Sequence, residues 1–99
     1  MPYFIETFDS PDRGNIREEL YQEHLDFLAE NAALLLACGA KLDDAGEMAS
    51  GGVYLVDVKT RREADALIRQ DPFYENGLFR KVQITRWRKA YLDGQSYLS

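Results

Sequence analysis

Val53-Tyr54-Leu55-Val56-Asp57-Val58, followed at once by Thr60-Arg61-Arg62-Glu63, decides the fold. The first six residues are mostly β-branched or aromatic and read as a strand. Thr60 with Glu63 three positions on is a capping box, in which each side chain satisfies an otherwise orphaned amide at a helix start. The helix so opened runs through Gln70, with Ala64, Leu67 and Ile68 facing inward. Asp71-Pro72 then stops it, because proline biases the residue before it out of the helical region. On local pattern Asp71 is an N-cap, with Pro72 at the first position of a short turn that Gly77 closes. From Phe79 to Arg88 the chain alternates, Val82 and Ile84 on one face against Gln83, Thr85 and Trp87 on the other. The tail beyond Ala90 holds Tyr91, Leu92, Tyr97 and Leu98 and is apolar enough to dock on the rest of the fold.

Toward the N-terminus, Gly39 and the polar stretch from Asp43 to Gly52 read as a loop too long for a tight hairpin, either a lid or a loose tip. Leu34-Leu35-Leu36-Ala37-Cys38 before it is a continuous apolar run, predicting a strand buried on both faces. A helix starts at about Asn15, supported by Glu18, and turns Leu20, His24, Phe27 and Leu28 inward; Asn31 suits its C-terminal end. Tyr3-Phe4-Ile5-Glu6-Thr7-Phe8 reads as the first strand.

The order is β-α-β-β-α-β, a ferredoxin-like α+β pattern: a four-stranded antiparallel sheet with two helices on one face. Residues 1–99 are expected to form one domain. The first and third strands carry apolar residues on both faces, so the face without helices would be an exposed apolar patch. That predicts a homodimer joined sheet to sheet.

A net charge of -5 argues against a nucleic-acid partner, which needs a basic footprint. The charge is uneven. Eleven acids precede residue 51, against only Arg13, Arg17 and Lys41, while nine of the twelve bases follow it. Two solvated faces of opposite sign account for this; an anion-binding fourth strand is the alternative. No apolar run is long enough to span a membrane. The opening residues lack the basic flank and apolar run of a signal peptide, and the single cysteine, Cys38, fits a reducing compartment. A cytoplasmic protein is expected.

Glycine-rich phosphate loops, paired cysteines and zinc-protease helices are all absent from the sequence, and one histidine with one cysteine cannot build a nitrogen- or sulfur-rich metal site within a subunit. Neither metal nor cofactor is expected. Cys38, in an apolar strand, reads as a small core filler. The remaining candidate is His24. A histidine on an apolar stripe needs a partner, because a buried polar group left unpaired costs free energy. It is either a satisfied core residue or a general base whose second nitrogen a carboxylate holds. Asp71 can reach it, since both helices cover the same face. Glu23 and Asp26 flank His24 in sequence, but neighbouring helix positions do not face each other.

Several landmarks recur in order along residues 3–88: His24-Leu25 in the first helix, Gly39-Ala40, the glycines Gly51-Gly52 before the third strand, the capped second helix, Asp71-Pro72-Phe73 with Gly77, and Trp87. In these the chain resembles the YCII family, small dimeric proteins of the dimeric α+β barrel superfamily. The resemblance implies a cleft holding a His–Asp pair, falling here on His24 and Asp71, used in acid–base chemistry. Superfamily relatives include muconolactone isomerases, small monooxygenases and a dehydrochlorinase. The expected function is cofactor-free lyase or isomerase chemistry on a small organic molecule. His24 and Asp71 would be catalytic, Tyr21, Phe27 and Phe73 would wall the pocket, and Arg17 and the fourth-strand bases would be available to a substrate carboxylate. A non-catalytic dimeric module binding a metabolite or another protein is the alternative, with His24 merely packed and Asp71 merely a cap.

Overall fold

The Thr60 hydroxyl accepts the Glu63 backbone N–H at 3.1 Å, the cap its sequence dictates, and donates to the Glu63 carboxylate at 3.1 Å, so Glu63 returns to the Thr60 side chain and not to its amide. This is seen in a computed structural model that describes residues 2–98; Met1 and Ser99, the ends of the expected 1–99 domain, lie outside it. In chain order the elements are β1 (Tyr3–Asp9), α1 (Gly14–Glu19), α2 (Tyr21–Glu30), a 3-10 turn at Ala32–Leu34, and β2 (Leu35–Leu42). They continue with β3 (Met48–Val56), α3 (Arg61–Arg69), α4 (Pro72–Glu75), β4 (Phe79–Arg86), β5 (Tyr91–Leu92) and β6 (Gln95–Ser96).

The main sheet is antiparallel in the order β2-β3-β1-β4, with the helices on one side, matching the expected ferredoxin-like architecture. Alternation sorts the side chains. Tyr3 and Ile5 of β1 and Tyr54 and Val56 of β3 are buried under the helices, with Phe27 of α2 and Ala64, Leu67 and Ile68 of α3 closing over them. Each such large apolar side chain contributes about 1.5–3 kcal/mol by leaving water. On the opposite face Phe4 lies beside Leu55, and Glu6 beside Val53, all only partly covered.

Four expectations are corrected. The first helix is two: Leu20 leaves helical geometry at φ -106° and ψ 14°, and α1 and α2 meet there. The polar stretch after Gly39 is not a long loop. β2 runs to Leu42, β3 begins at Met48, and Asp43 closes the turn by accepting the backbone N–H groups of Ala45 and Glu47. β2 is an edge strand and largely exposed, not doubly buried, because no element flanks its outer side; Cys38 is accordingly exposed. The tail does not dock. β5 and β6 pair with each other and leave Tyr91, Tyr97 and Leu98 in the open.

Two glycines of β3 allow close backbone approach, Gly51 to β1 and Gly52 to β2. The Thr7 hydroxyl, fully buried, accepts the Gly52 backbone N–H at 2.9 Å. Gly51 has φ +70°, and a Cβ there would collide with the Thr7 carbonyl; a Cβ on Gly52 would lie 2.6 Å from the Gly39 carbonyl oxygen. Only residues without a side chain permit this approach.

Candidate active site

Asp71 sits at the junction of α3 and α4, wholly buried. As the cap of α4 it accepts the Phe73 backbone N–H through Oδ1 at 2.9 Å. The same oxygen lies 3.0 Å from His24 Nδ1. The other, Oδ2, accepts the Tyr54 hydroxyl at 2.9 Å. The cap and the histidine partner, two readings of Asp71 that looked exclusive in the sequence, are thus met by one carboxylate. A buried carboxylate costs several kcal/mol unless paired and hydrogen-bonded, and three converging donors offset that cost.

An ionised carboxylate only accepts, so Nδ1 is the donor of this pair, and in the neutral ring that leaves Nε2 as the acceptor. The ring lies flat on Phe73, with centroids 4.2 Å apart and planes 13° from parallel. Phe73 is itself buried, held edge-on by Phe79 at 6.3 Å. His24 is therefore fixed through its nitrogen by Asp71 and through its face by Phe73, both from one short turn.

His24 lines a cavity of about 240 Å³ together with Arg17, Tyr21, Leu28, Cys38 and Tyr54. Burial first, and the Asp71 charge second, push the Tyr54 phenol far above its ordinary range, so it stays protonated and donates. The same two causes in the same order raise the Cys38 thiol. Among the described residues no group of three or more His, Cys, Asp or Glu side chains converges as a metal site would require.

The other expected residues are distributed unevenly. Tyr21 is half exposed and lines the cavity. Arg17 lines it too, but its Nε and Nη2 are engaged by both Asp9 oxygens at 2.8–3.0 Å, and its guanidinium rests 4.9 Å from the Phe73 centroid. Phe73 is the platform beneath His24, not a wall. Phe27 is not among the cavity residues; it points from α2 into the core and is 7% exposed. The fourth-strand bases Arg80 and Lys81 border a separate surface cavity with Asp65, Arg69 and Tyr74, where no His24 atom contributes. Tyr54 and Cys38 were missed. They are cross-strand neighbours on the helix-covered face, and alternation along Val53–Val58 places Tyr54 there. A tyrosine hydroxyl in a core needs a partner, and that was the available signal.

The model of the YCII-related domain matches residues 1–88. The chain belongs to the YCII-related domain family. Among solved structures, this YCII-related chain is similar to 5-chloro-2-hydroxyhydroquinone dehydrochlorinase from Burkholderia phenoliruptrix AC1100, determined in complex with 2,5-dihydroxybenzoquinone. That match has a TM-score of 0.79 and 26% sequence identity, covering 89% of this chain and 94% of the other. No curated protein matches. The similar protein is an enzyme with a small aromatic-derived ligand, and the β5–β6 hairpin lies beyond the family-matched residues. Among the described residues no helix is long and apolar enough to cross a membrane.

Proposed function

We propose that this chain is an enzyme performing cofactor-free acid–base chemistry, of the lyase or isomerase type, on a small hydroxylated ring. The observation that carries the reading is the His24–Asp71 contact, in which a wholly buried carboxylate holds Nδ1 while the ring faces a cavity large enough for one six-membered ring. His24 Nε2 takes a proton from a substrate hydroxyl or ring carbon, and Asp71 stabilises the imidazolium that results. A lyase then releases a leaving group with its electron pair; an isomerase returns the proton to a different atom. The Tyr54 hydroxyl keeps the second carboxylate oxygen occupied, so Asp71 cannot swing away from His24. The similarity to a dehydrochlorinase that binds a dihydroxyquinone supports a phenolic or quinol substrate.

We also propose a homodimer joined through the face carrying Phe4, Val53 and Leu55, which no helix covers, in a cytoplasmic protein.

The test is turnover of halogenated hydroxyhydroquinones by wild type, His24→Gln and Asp71→Asn, with circular dichroism and sedimentation alongside. His24→Gln should lower kcat/KM by about 10²–10⁴ with fold and mass unchanged. Full activity in that variant overturns the mechanism. Tight binding of 2,5-dihydroxybenzoquinone without turnover of any such substrate, by a well-folded wild type, leaves a binding module instead.

A further inference from the structure

A second and larger cavity, about 590 Å³, adjoins the one at His24. The two share Arg17, Tyr21 and Met48, so they lie side by side against those side chains. Beyond the shared residues the second cavity is bordered by Gly14 at the start of α1 and by Ala49 and Gly51 of the hairpin. Three of its polar side chains, Asp9, Arg17 and Ser50, are already partnered. Asp9 and Arg17 neutralise each other through two-pronged contact, and Ser50 Oγ accepts the Asp9 backbone N–H at 3.0 Å. Glu18 adds an unpaired negative charge at its border. Nε and Nη2 of Arg17 are committed to Asp9, and an anion here would meet the charges of both Glu18 and Asp9. What the space offers is mainly apolar surface, with the Glu18 carboxylate at its border.

Building on the proposed function, we infer that this cavity is a second compartment of the same site, taking an uncharged hydrocarbon substituent of a hydroxylated ring whose reacting end lies at His24. The substrate class narrows accordingly to alkyl- or aryl-substituted quinols, and excludes ring carboxylic acids anchored by Arg17. Burial of the substituent is non-directional, so the compartment adds affinity and length selection while His24 sets the chemistry.

The test is calorimetric titration with three probes: 2,5-dihydroxybenzoquinone and its 3-hexyl and 3-carboxymethyl derivatives. The hexyl compound should bind wild type at least about tenfold more tightly than the parent, the affinity that burying about two methylenes provides. Ala49 and Gly14 border only the second compartment, Ala49 is exposed, and a Cβ on Gly14 would meet nothing within 4 Å. Ala49→Glu and Gly14→Leu, one charging the space and the other filling it, should each erase the hexyl advantage and leave the parent's Kd unchanged. Equal Kd values for parent and hexyl compounds in wild type overturn the compartment and leave the proposed function standing. A hexyl advantage that survives both substitutions, or a carboxymethyl compound that binds best, also overturns it. Failure of all three probes to bind overturns the compartment and the proposed function together.

Discussion

His24 lies flat against Phe73, 4.2 Å between ring centroids, and Phe73 is the second residue of the turn whose cap is Asp71. The carboxylate that holds the histidine's nitrogen and the ring that holds its face are thus two residues apart in the chain. Phe73→Ala should cost about 3–5 kcal/mol of stability, the usual range for a large buried aromatic. Phe73→Leu keeps an apolar side chain but offers no flat platform. It should stay folded by circular dichroism and lose about tenfold in kcat/KM, because a misplaced base loses rate steeply. Unchanged turnover in Phe73→Leu would mean that Asp71 alone orients His24.

Tyr54→Phe removes the only side-chain donor to Asp71 Oδ2 among the described residues and leaves that oxygen buried. The expected loss is about 1–3 kcal/mol by urea denaturation, the cost of an unsatisfied buried acceptor. Retained stability would show that water or a shifted side chain replaces the hydroxyl.

Alkaline pH should act through the same phenol. Its folded pKa is raised, so the stability it contributes is whole below its unfolded pKa of about 10 and drains away above that value. The unfolded chain releases this proton while the folded chain retains it. Wild type should therefore lose more stability than Tyr54→Phe between about pH 10 and about pH 11.5. Parallel curves for the two proteins would place the phenol's titration in its ordinary range.

Cys38 offers a reporter inside the cavity. It is exposed, yet burial of its thiol and the Asp71 charge both disfavour the thiolate. Alkylation by iodoacetamide at about pH 8 should be slower than for a free cysteine, whose pKa is about 8.5. Asp71→Asn should speed it, and saturating 2,5-dihydroxybenzoquinone should suppress it. Labelling indifferent to the quinone would place the ligand elsewhere.

Gly51→Ala should cost more than about 2 kcal/mol, because the new Cβ meets both a positive φ and the Thr7 carbonyl. Gly14→Ala is the matched control, with open space around it and an expected effect within about 0.5 kcal/mol. Equal midpoints in thermal unfolding would show that the hairpin relaxes away from β1.

What could be read from the sequence follows from how local each signal is. The Thr60 cap on the Glu63 amide and the Asp71-Pro72 turn are short-range chemistry, and both form as their residues predict. The alternation of Val53–Val56 assigns faces correctly because one side of the sheet is covered and the other is not. The hairpin tip was misread because its strands are held by backbone pairing and by Gly51 and Gly52, neither of which leaves an apolar pattern. Leu34–Cys38 was misread because hydrophobic composition cannot tell an edge strand from a central one. Meeting of His24 and Asp71 depends on helix placement across 47 positions, and no local pattern encodes it. Its chemistry was legible through the scarcity of other candidates and through the resemblance to the YCII family.

The close passage of Gly51 over Thr7, with the Gly52 N–H on the Thr7 hydroxyl, has a consequence for how this site can diversify. Beside Tyr21 the spacing of the hairpin from β1 is set by the Gly51 main chain against the Thr7 carbonyl and by the Gly52 N–H on the Thr7 hydroxyl. Met48, Ala49 and Ser50 hang from that rigid rail and line the space it frames. Exchanges at those three positions would retune which ring substituents enter and leave the Gly51–Thr7 approach itself untouched.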